Sequence, residues 1–534
     1  MTFNGLNIWG SGQILAFSGL DGKTDYNNGL VLRTAFDYKG FDIKLPENGG
    51  MIKLQDFDAD NITLSGDFFS LGKTRGAFID AWHVLLEGDV QIEINNELKQ
   101  VSENGRTLVG SSNYFKPELI KSDLDEVITE RRRQFQKFPV PENLEEDSRL
   151  TLLKAYSQLR TQFCSPEGNI KALWTTPDRW PHRRMWLWDS VFHSAGIRHI
   201  DVKLAREIIS AMLGCAREDG FIPLDVTPDK ISEVTQPPLL ALGVKLVQER
   251  EADIEWLKEC YPYLKGYIEW DLKNRDSNGS GLVEWYIEEH ENCRSGESGM
   301  DNSPRFDSAT QLEATDFNAF LSMECEILAE FAQELGFSDD VELWKVRHEK
   351  LNKLINKRLW NDREKFYFDY DIDHDKMSEV MASSGFLPLI CGAASKEQAA
   401  ELVAHLKNPK TFNTSFLIPS IAVSCNKFYA KDMWRGPVWI NINWLVVKGL
   451  RRYGFDAEAD LLIKQTMEKI EEMYLKYGTF FEFYDDRNEV DPPELFRKGK
   501  NIPNSFHQVF HDYGWTGTLY IDFVFEKMNN NPKL

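Results

Sequence analysis

The sequence predicts a mainly α protein, an (α/α)6 barrel with an N-terminal β-sandwich domain. Three observations carry this: the hydrophobic period changes near residue 116, twelve helical patterns follow residue 146, and short and long connections alternate between them. The expected division is 1–115 as a β-sandwich-like accessory domain, 116–145 as a helical linker, and 146–534 as the barrel.

Before residue 116 the apolar runs are short. Residues 12–17, 29–36 and 89–94 read as strands separated by Gly, Asn and Asp turns, and many short strands at such spacing suggest a sandwich. Residues 119–138 change to a heavily charged helical pattern that links the two parts.

The helical patterns run over 146–163, 189–199, 202–216, 237–250, 253–275, 315–335, 338–360, 383–391, 395–407, 438–453, 455–478 and 514–528. Connections after the even-numbered helices are very short: Asp201, Glu251-Ala252, Gly336-Phe337, residues 392–394 and Gly454. Those after the odd-numbered helices are long, roughly twenty to forty residues against a usual two to eight. Short loops join antiparallel neighbours. Strict alternation therefore gathers every long loop at one end, which describes a barrel with one elaborated face. An α-solenoid would show a repeat, and none is visible.

Composition narrows the function. A 42% hydrophobic chain can build a large core, yet 15 Trp exceed what packing needs, and indoles stack well on sugar rings. A net charge of −22 argues against nucleic acid or an anionic membrane surface as partner. The seven cysteines are dispersed, without CxxC spacing, and read as free thiols in a reducing compartment rather than a zinc site. The N-terminus lacks the basic and apolar regions of a leader, so a cytoplasmic protein is expected; separately, no metal or cofactor is expected.

The long loops hold the candidate chemistry. The third contains residues 296–307, a polar, aperiodic stretch between two clear helices, with Asp301 and Arg305. The first ends at Trp186, Trp188 and Asp189, among three Trp and three Arg. An Asp at a helix start is most often an N-cap, but in this setting Asp189 reads as a pocket floor accepting from sugar hydroxyls. The second ends in Gln236-Pro237-Pro238, where helix starts explain the prolines but not the Gln. The fifth carries Trp434, Arg435 and Trp439, the sixth Glu482, and Trp515 begins the last helix. Glycosidic hydrolysis needs one protonated carboxyl to release the leaving oxygen and one carboxylate to activate water. Asp301 and Glu482 are candidates for that pair, with apolar neighbours such as Met300 and Phe306 able to raise one pKa. Asp485-Asp486 reads as solvated loop.

At these residues the chain resembles glycoside hydrolase family 63 and its relatives, the inverting (α/α)6 hydrolases that include mannosylglycerate and glucosylglycerate hydrolases, processing α-glucosidase and, more distantly, trehalase. The matching segments are Trp186-Leu187-Trp188-Asp189-Ser190, Gln236-Pro237-Pro238, Glu297-Ser298-Gly299-Met300-Asp301-Asn302-Ser303, Trp434-Arg435-Gly436-Pro437, Phe481-Glu482-Phe483-Tyr484 and Tyr513-Gly514-Trp515-Thr516. The resemblance implies Asp301 as general acid and Glu482 as general base. It implies a sugar pocket shaped by Trp188, Asp189, Gln236, Arg435 and Trp515, and a small α-linked glucoside or mannoside as substrate. Trehalases carry an Arg before Gln-Pro-Pro, where this chain has Glu233-Val234-Thr235, and a Gln-Trp-Asp segment where it has Trp434-Arg435-Gly436-Pro437; trehalose is not the expected substrate. The sixth loop is also long, with Asp491-Pro492-Pro493-Glu494-Leu495-Phe496-Arg497-Lys498 inserted, a segment placed to cover the aglycone side.

Three other readings compete. An inverting glycoside phosphorylase would replace base and water with a phosphate site in cationic or hydroxyl-rich loops. A catalytically inactive carbohydrate-binding protein would not need both acids. His182, His507 and His511 also lie on suitable loops for an epimerase, which requires paired proton-transfer groups.

Overall fold

The computed structural model describes four two-residue strand fragments before residue 50, then residues 68–71, 74–80, 83–88, 98–111 and 115–530, except 136–137, 160–161, 165, 167, 179–181, 183, 291–292, 500–508 and 511. The expected strands at 12–17 and 89–94 fall outside the described residues, as does most of 29–36. What is described of the N-terminal region centres on one antiparallel five-stranded sheet. Its spatial order is Phe68–Leu71, Thr74–Asp80, His83–Glu87, Arg106–Ser111, Leu98–Glu103.

Alternate side chains of a strand face opposite sides, and this sheet uses both. Val84, Leu86 and Val109 join the main core of the protein. Leu85, Leu108 and Ala77 instead pack with Ile120, Leu124 and Ile128, the last two on helix α1 (Leu124–Phe135).

The rest of the chain is a helical barrel. Its helices are α2 (Glu146–Leu159), α3 (Leu187–Ile197), α4 (Val202–Leu213), α5 (Leu240–Arg250), α6 (Ile254–Asn274), α7 (Thr315–Leu335), α8 (Ser338–Leu359), α9 (Lys396–Leu406), α10 (Ile440–Arg452), α11 (Asp456–Tyr477) and α12 (Gly514–Asn530). A 3-10 helix, Ser383–Leu389, occupies the position between α8 and α9. An inner ring closes through α3, α5, α7, the 3-10 helix, α10 and α12, each packed on the next and α12 back on α3. Every residue of α3 is buried, and so are most of α7 and α10. Helices all round apolar or small in this way belong inside a larger protein. Among the described residues no helix is long and apolar enough to cross a membrane.

The helix expected over 383–391 is the one inner-ring element that is not α. Pro388 sits inside it, and a proline removes the i→i−4 donor an α-helix needs there. The tight turns have local causes. Asp201 caps α4 by accepting from Leu204 N at 3.0 Å, and Asp253 caps α6 through Glu255 N and Trp256 N. Gly336 ends α7 at φ +79°, the left-handed conformation favoured by a residue without Cβ. These short turns leave the long loops together at the opposite end of the ring.

Candidate active site

The loop carrying Asp301 is pinned along its length, which is why an aperiodic stretch holds one shape. Glu297 is buried and accepts from Arg275 Nη2 at 2.6 Å, Tyr286 N at 2.8 Å and Thr235 N at 3.3 Å. The Asp301 carbonyl accepts from Arg294 N at 2.9 Å. Asn302 donates to Asp432 Oδ1 at 2.9 Å and accepts from Trp434 N at 3.0 Å, joining the third loop to the fifth. Gly299, at φ +70°, lies against the Trp188 indole; a Cβ there would fall 2.4 Å from the ring. Only glycine lets the loop approach the indole so closely.

Arg305 is the strongest of these pins, and this corrects its expected role in substrate binding. Its side chain is wholly buried between Asp316 (2.6 and 2.8 Å) and Asp369 (2.6 and 3.1 Å). A guanidinium satisfied by two bidentate carboxylates has no reason to leave them for a ligand. It fixes the third loop to α7 and does not line the recess.

Glu482 is set by loops five and six pairing with one another. Val438 and Tyr484 exchange both backbone hydrogen bonds, at 2.8 and 3.0 Å, and Glu482 N donates to Phe510 O at 2.9 Å. Asp485 and Asp486, expected as solvated loop, are buried instead. Asp485 accepts from Lys431 Nζ at 2.8 Å and Asp486 from Tyr429 OH at 2.8 Å, so both serve to tie loop six to loop five.

A recess of about 460 Å³ opens between these loops. Asp301 and Glu482 line it, with Trp186, Trp188, Trp439, Trp515, Asp189 and Gln236. Trp188 and Trp439 each meet Trp515 edge-on, at centroid distances of 5.5 and 5.8 Å. Trp434, expected on the wall, stands behind it, stacked on Trp439 at 4.0 Å and fully buried. Arg435 also stays out of the recess because it is engaged by Asp307, with Nη1 3.1 Å from Oδ2. Gln236 Oε1 accepts from Trp188 N at 3.1 Å, holding the first turn of α3 to the second loop.

Asp189 lies inside that first turn rather than at the N-cap position, which Trp186 occupies with extended backbone. Its Oδ1 makes no hydrogen bond, and neither do Trp186 Nε1 and Trp515 Nε1, although all three atoms are buried. Buried polar atoms without partners are rare in native proteins, and these three lie on residues that line one recess. Burial, reinforced by the negative charges of Asp178 and Glu482, pushes the Asp189 carboxyl well above the usual carboxylate range.

The two candidate catalytic acids meet consecutive cations. Lys498 Nζ lies 2.5 Å from Asp301 Oδ2, and Arg497 Nε lies 3.0 Å from Glu482 Oε2. Burial alone would raise the Asp301 pKa, but the Lys498 ammonium, with Arg497 and a Cys293 hydrogen bond, outweighs it and holds the carboxyl below its ordinary value. Met300 and Phe306 are buried as expected, yet the cation decides the sign.

Sequence reasoning identifies residues 491–498 as an insertion without giving Arg497 and Lys498 a role. It likewise leaves Tyr513 and Met433 of the recess unassigned, and considers His182 only as an epimerase group. His182 is bound by Asp178, Nδ1 to Oδ2 at 2.7 Å, and stands edge-on to Phe510. An Arg-Lys-Gly run in a long loop of a strongly acidic chain is the available signal for the cations.

Both carboxylates, and every residue lining the recess except Pro177, fall within residues 181–516, the stretch matched by a family model described as the mannosylglycerate hydrolase MGH1-like glycoside hydrolase domain. The class is therefore glycoside hydrolase. The chain belongs to the MGH1-like glycoside hydrolase family. It is 26% identical over 401 residues to the mannosylglycerate hydrolase of Thermus thermophilus, covering 58% of this chain and 92% of that one. It is 23% identical over 420 residues to the glucosylglycerate hydrolase of Mycolicibacterium hassiacum, covering 60% and 90%. The crystal structure of a family 63 mannosylglycerate hydrolase from Thermus thermophilus in complex with glucose superposes with a TM-score of 0.57 at 24% identity, over 70% of this chain and 99% of that one. That likeness confirms the helical barrel fold.

Proposed function

We propose that the chain hydrolyses a small α-mannoside or α-glucoside with inversion, Asp301 acting as general acid and Glu482 as general base. The observation that carries this reading is that carboxylates from the third and sixth long loops line one indole-walled recess. Protonated Asp301 gives its proton to the glycosidic oxygen as the bond to the anomeric carbon breaks. Glu482 takes a proton from the water that attacks that carbon from the other face. Glu482 then releases its proton to solvent and Asp301 takes one up, so one water is consumed and a free sugar and an alcohol leave.

Trp186, Trp188, Trp439 and Trp515 offer their rings to the sugar, and Trp186 and Trp515 also their indole N–H groups. Asp189, whose pKa burial raises, and Gln236 meet its hydroxyls. The relatives act on mannosylglycerate and glucosylglycerate by name, and the cationic Arg497 and Lys498 suit a glycerate carboxylate on the leaving group. Residues 1–115 serve in this reading as an accessory domain, joined through 116–145 to a barrel over 146–534.

The same two cations are what a phosphorolytic enzyme would use for phosphate, so the test must separate the two. The protein is incubated with α-mannosylglycerate, α-glucosylglycerate and trehalose, with and without inorganic phosphate, and products are resolved by chromatography. Free mannose or glucose from a glycerate substrate without phosphate is the expected result. Sugar 1-phosphate formed only when phosphate is added would replace hydrolysis with phosphorolysis.

A further inference from the structure

The resting site is mismatched to its chemistry. A general acid must carry a proton, yet Asp301 faces an ammonium at 2.5 Å that favours its ionised form. Among the groups facing Asp301, Lys498 and Arg497 come from the sixth loop, and the Cys293 thiol comes from its own loop. Glu482 lies beyond Arg497, which it binds. Lys498 acts most strongly of these.

The backbone beneath Lys498 is held by hydrogen bonds that do not involve its side chain. Buried Asp432 accepts from Lys498 N at 2.9 Å and Gly499 N at 2.8 Å, and from Asn302 Nδ2 at 2.9 Å on the Asp301 loop. Phe496 N donates to Lys431 O at 2.9 Å. One carboxylate thus holds both loops in register. The Lys498 side chain itself is 26% exposed and carries a single compact charge on a four-carbon stem. Arg497 beside it is 9% exposed, spread over Phe510 at 4.2 Å and engaged by Glu482. Of the two cations, Lys498 is the one able to move without disturbing the loop.

We propose that Lys498 is a latch on Asp301 released by an anionic leaving group: the substrate carboxylate takes the ammonium, and Asp301 then accepts from solvent the proton it delivers to the glycosidic oxygen. The inference rests on the hydrolytic reading above and deepens it by making the charge of the aglycone a trigger. Lys498 is a positioning residue that acts through Asp301. A neutral aglycone of the same shape leaves the latch closed, so discrimination falls on kcat more than on KM.

The test uses the full-length protein and a matched pair, the α-glycoside of glycerate and that of glycerol, with the sugar that the enzyme cleaves. In the wild type, kcat at neutral pH is at least about tenfold higher for the glycerate substrate, and the alkaline limb of its kcat profile lies at least about one pH unit higher, the low end of the effect of a nearby opposite charge on a carboxyl. Lys498→Met brings the two limbs together by raising that of the glycerol substrate and collapses the kcat ratio; Lys498→Arg retains both differences. A folded Lys498→Met that keeps the wild-type ratio and limbs overturns the latch, as does a wild type that turns over both substrates equally. Asp301→Asn is measured alongside. If it retains wild-type turnover, the hydrolytic assignment itself has failed, whereas its inactivity together with an unaltered Lys498→Met rejects the latch alone.

Discussion

Arg497 donates from Nε to Glu482 Oε2 across 3.0 Å, with both side chains shielded from solvent. The pair comes from one loop, so the segment that lines the recess with Arg497 and Lys498 also orients the carboxylate assigned to activate water. Orientation of this kind sets near-attack geometry, and small misplacements cost large factors in rate.

Removing either acid isolates its role. Asp301→Asn and Glu482→Gln are each expected to lower turnover by at least roughly a hundredfold, the low end for loss of a general acid or base. Steady-state rates on folded variants check this, and near-wild-type rates in either would break the assignment.

The indoles separate binding from packing. Trp188 is 3% exposed and packs on Trp515, Phe192 and Gly299, so Trp188→Ala is expected to lower both substrate use and melting temperature. Trp186 is less buried; Trp186→Ala is expected to raise KM with a much smaller shift in melting temperature. Equal losses of stability in the two variants would contradict the distinction.

Arg305→Met leaves Asp316 and Asp369 buried without their cation. Breaking a buried pair by removing one partner costs about 3–5 kcal/mol, and the Asp301 loop loses its anchor. Chemical denaturation is expected to show that loss together with impaired turnover. A variant with normal stability and a raised KM alone would return Arg305 to the substrate.

Connection lengths make the barrel legible, because twelve patterns alternating between short and long loops admit few topologies. The eighth element differs in kind from its pattern: its apolar residues are spaced for burial, but Pro388 forbids the α ladder. Asp301, Glu482, Asp189 and Gln236 are legible as motif residues on loops of one face. Arg305 and Asp485 are not, since their partners Asp369 and Lys431 are remote in sequence and nothing local encodes which cation meets which acid. Lys498 escapes for the same reason: its effect on Asp301 exists only once the third and sixth loops share Asp432.

Asp486 gives a pH signature. Burial, offset in part by the Tyr429 hydrogen bond and reinforced by Asp485, raises its pKa from 3.8 to about 6. The folded state then binds more protons than the unfolded state between these values, so this group's contribution to stability is present at low pH and is lost as pH rises through about 6. Asp486→Asn, which stays neutral and still accepts from Tyr429, is expected to melt progressively higher than the wild type as pH goes from 4 to 7. A melting-temperature difference independent of pH would exclude the raised value.

The stereochemistry of the first product tests the central claim most directly. Inverting sites keep their carboxyl groups roughly 6.5–9.5 Å apart to admit a water, against about 5–5.5 Å in retaining sites. Asp301 and Glu482 come from loops three and six, half the ring apart in loop order, which fits the wider arrangement. Anomeric proton signals followed by NMR in the first minutes of hydrolysis of an α-linked substrate should show β-sugar appearing first, with α-sugar growing only by mutarotation. Initial release of α-sugar would contradict direct displacement by a water on Glu482.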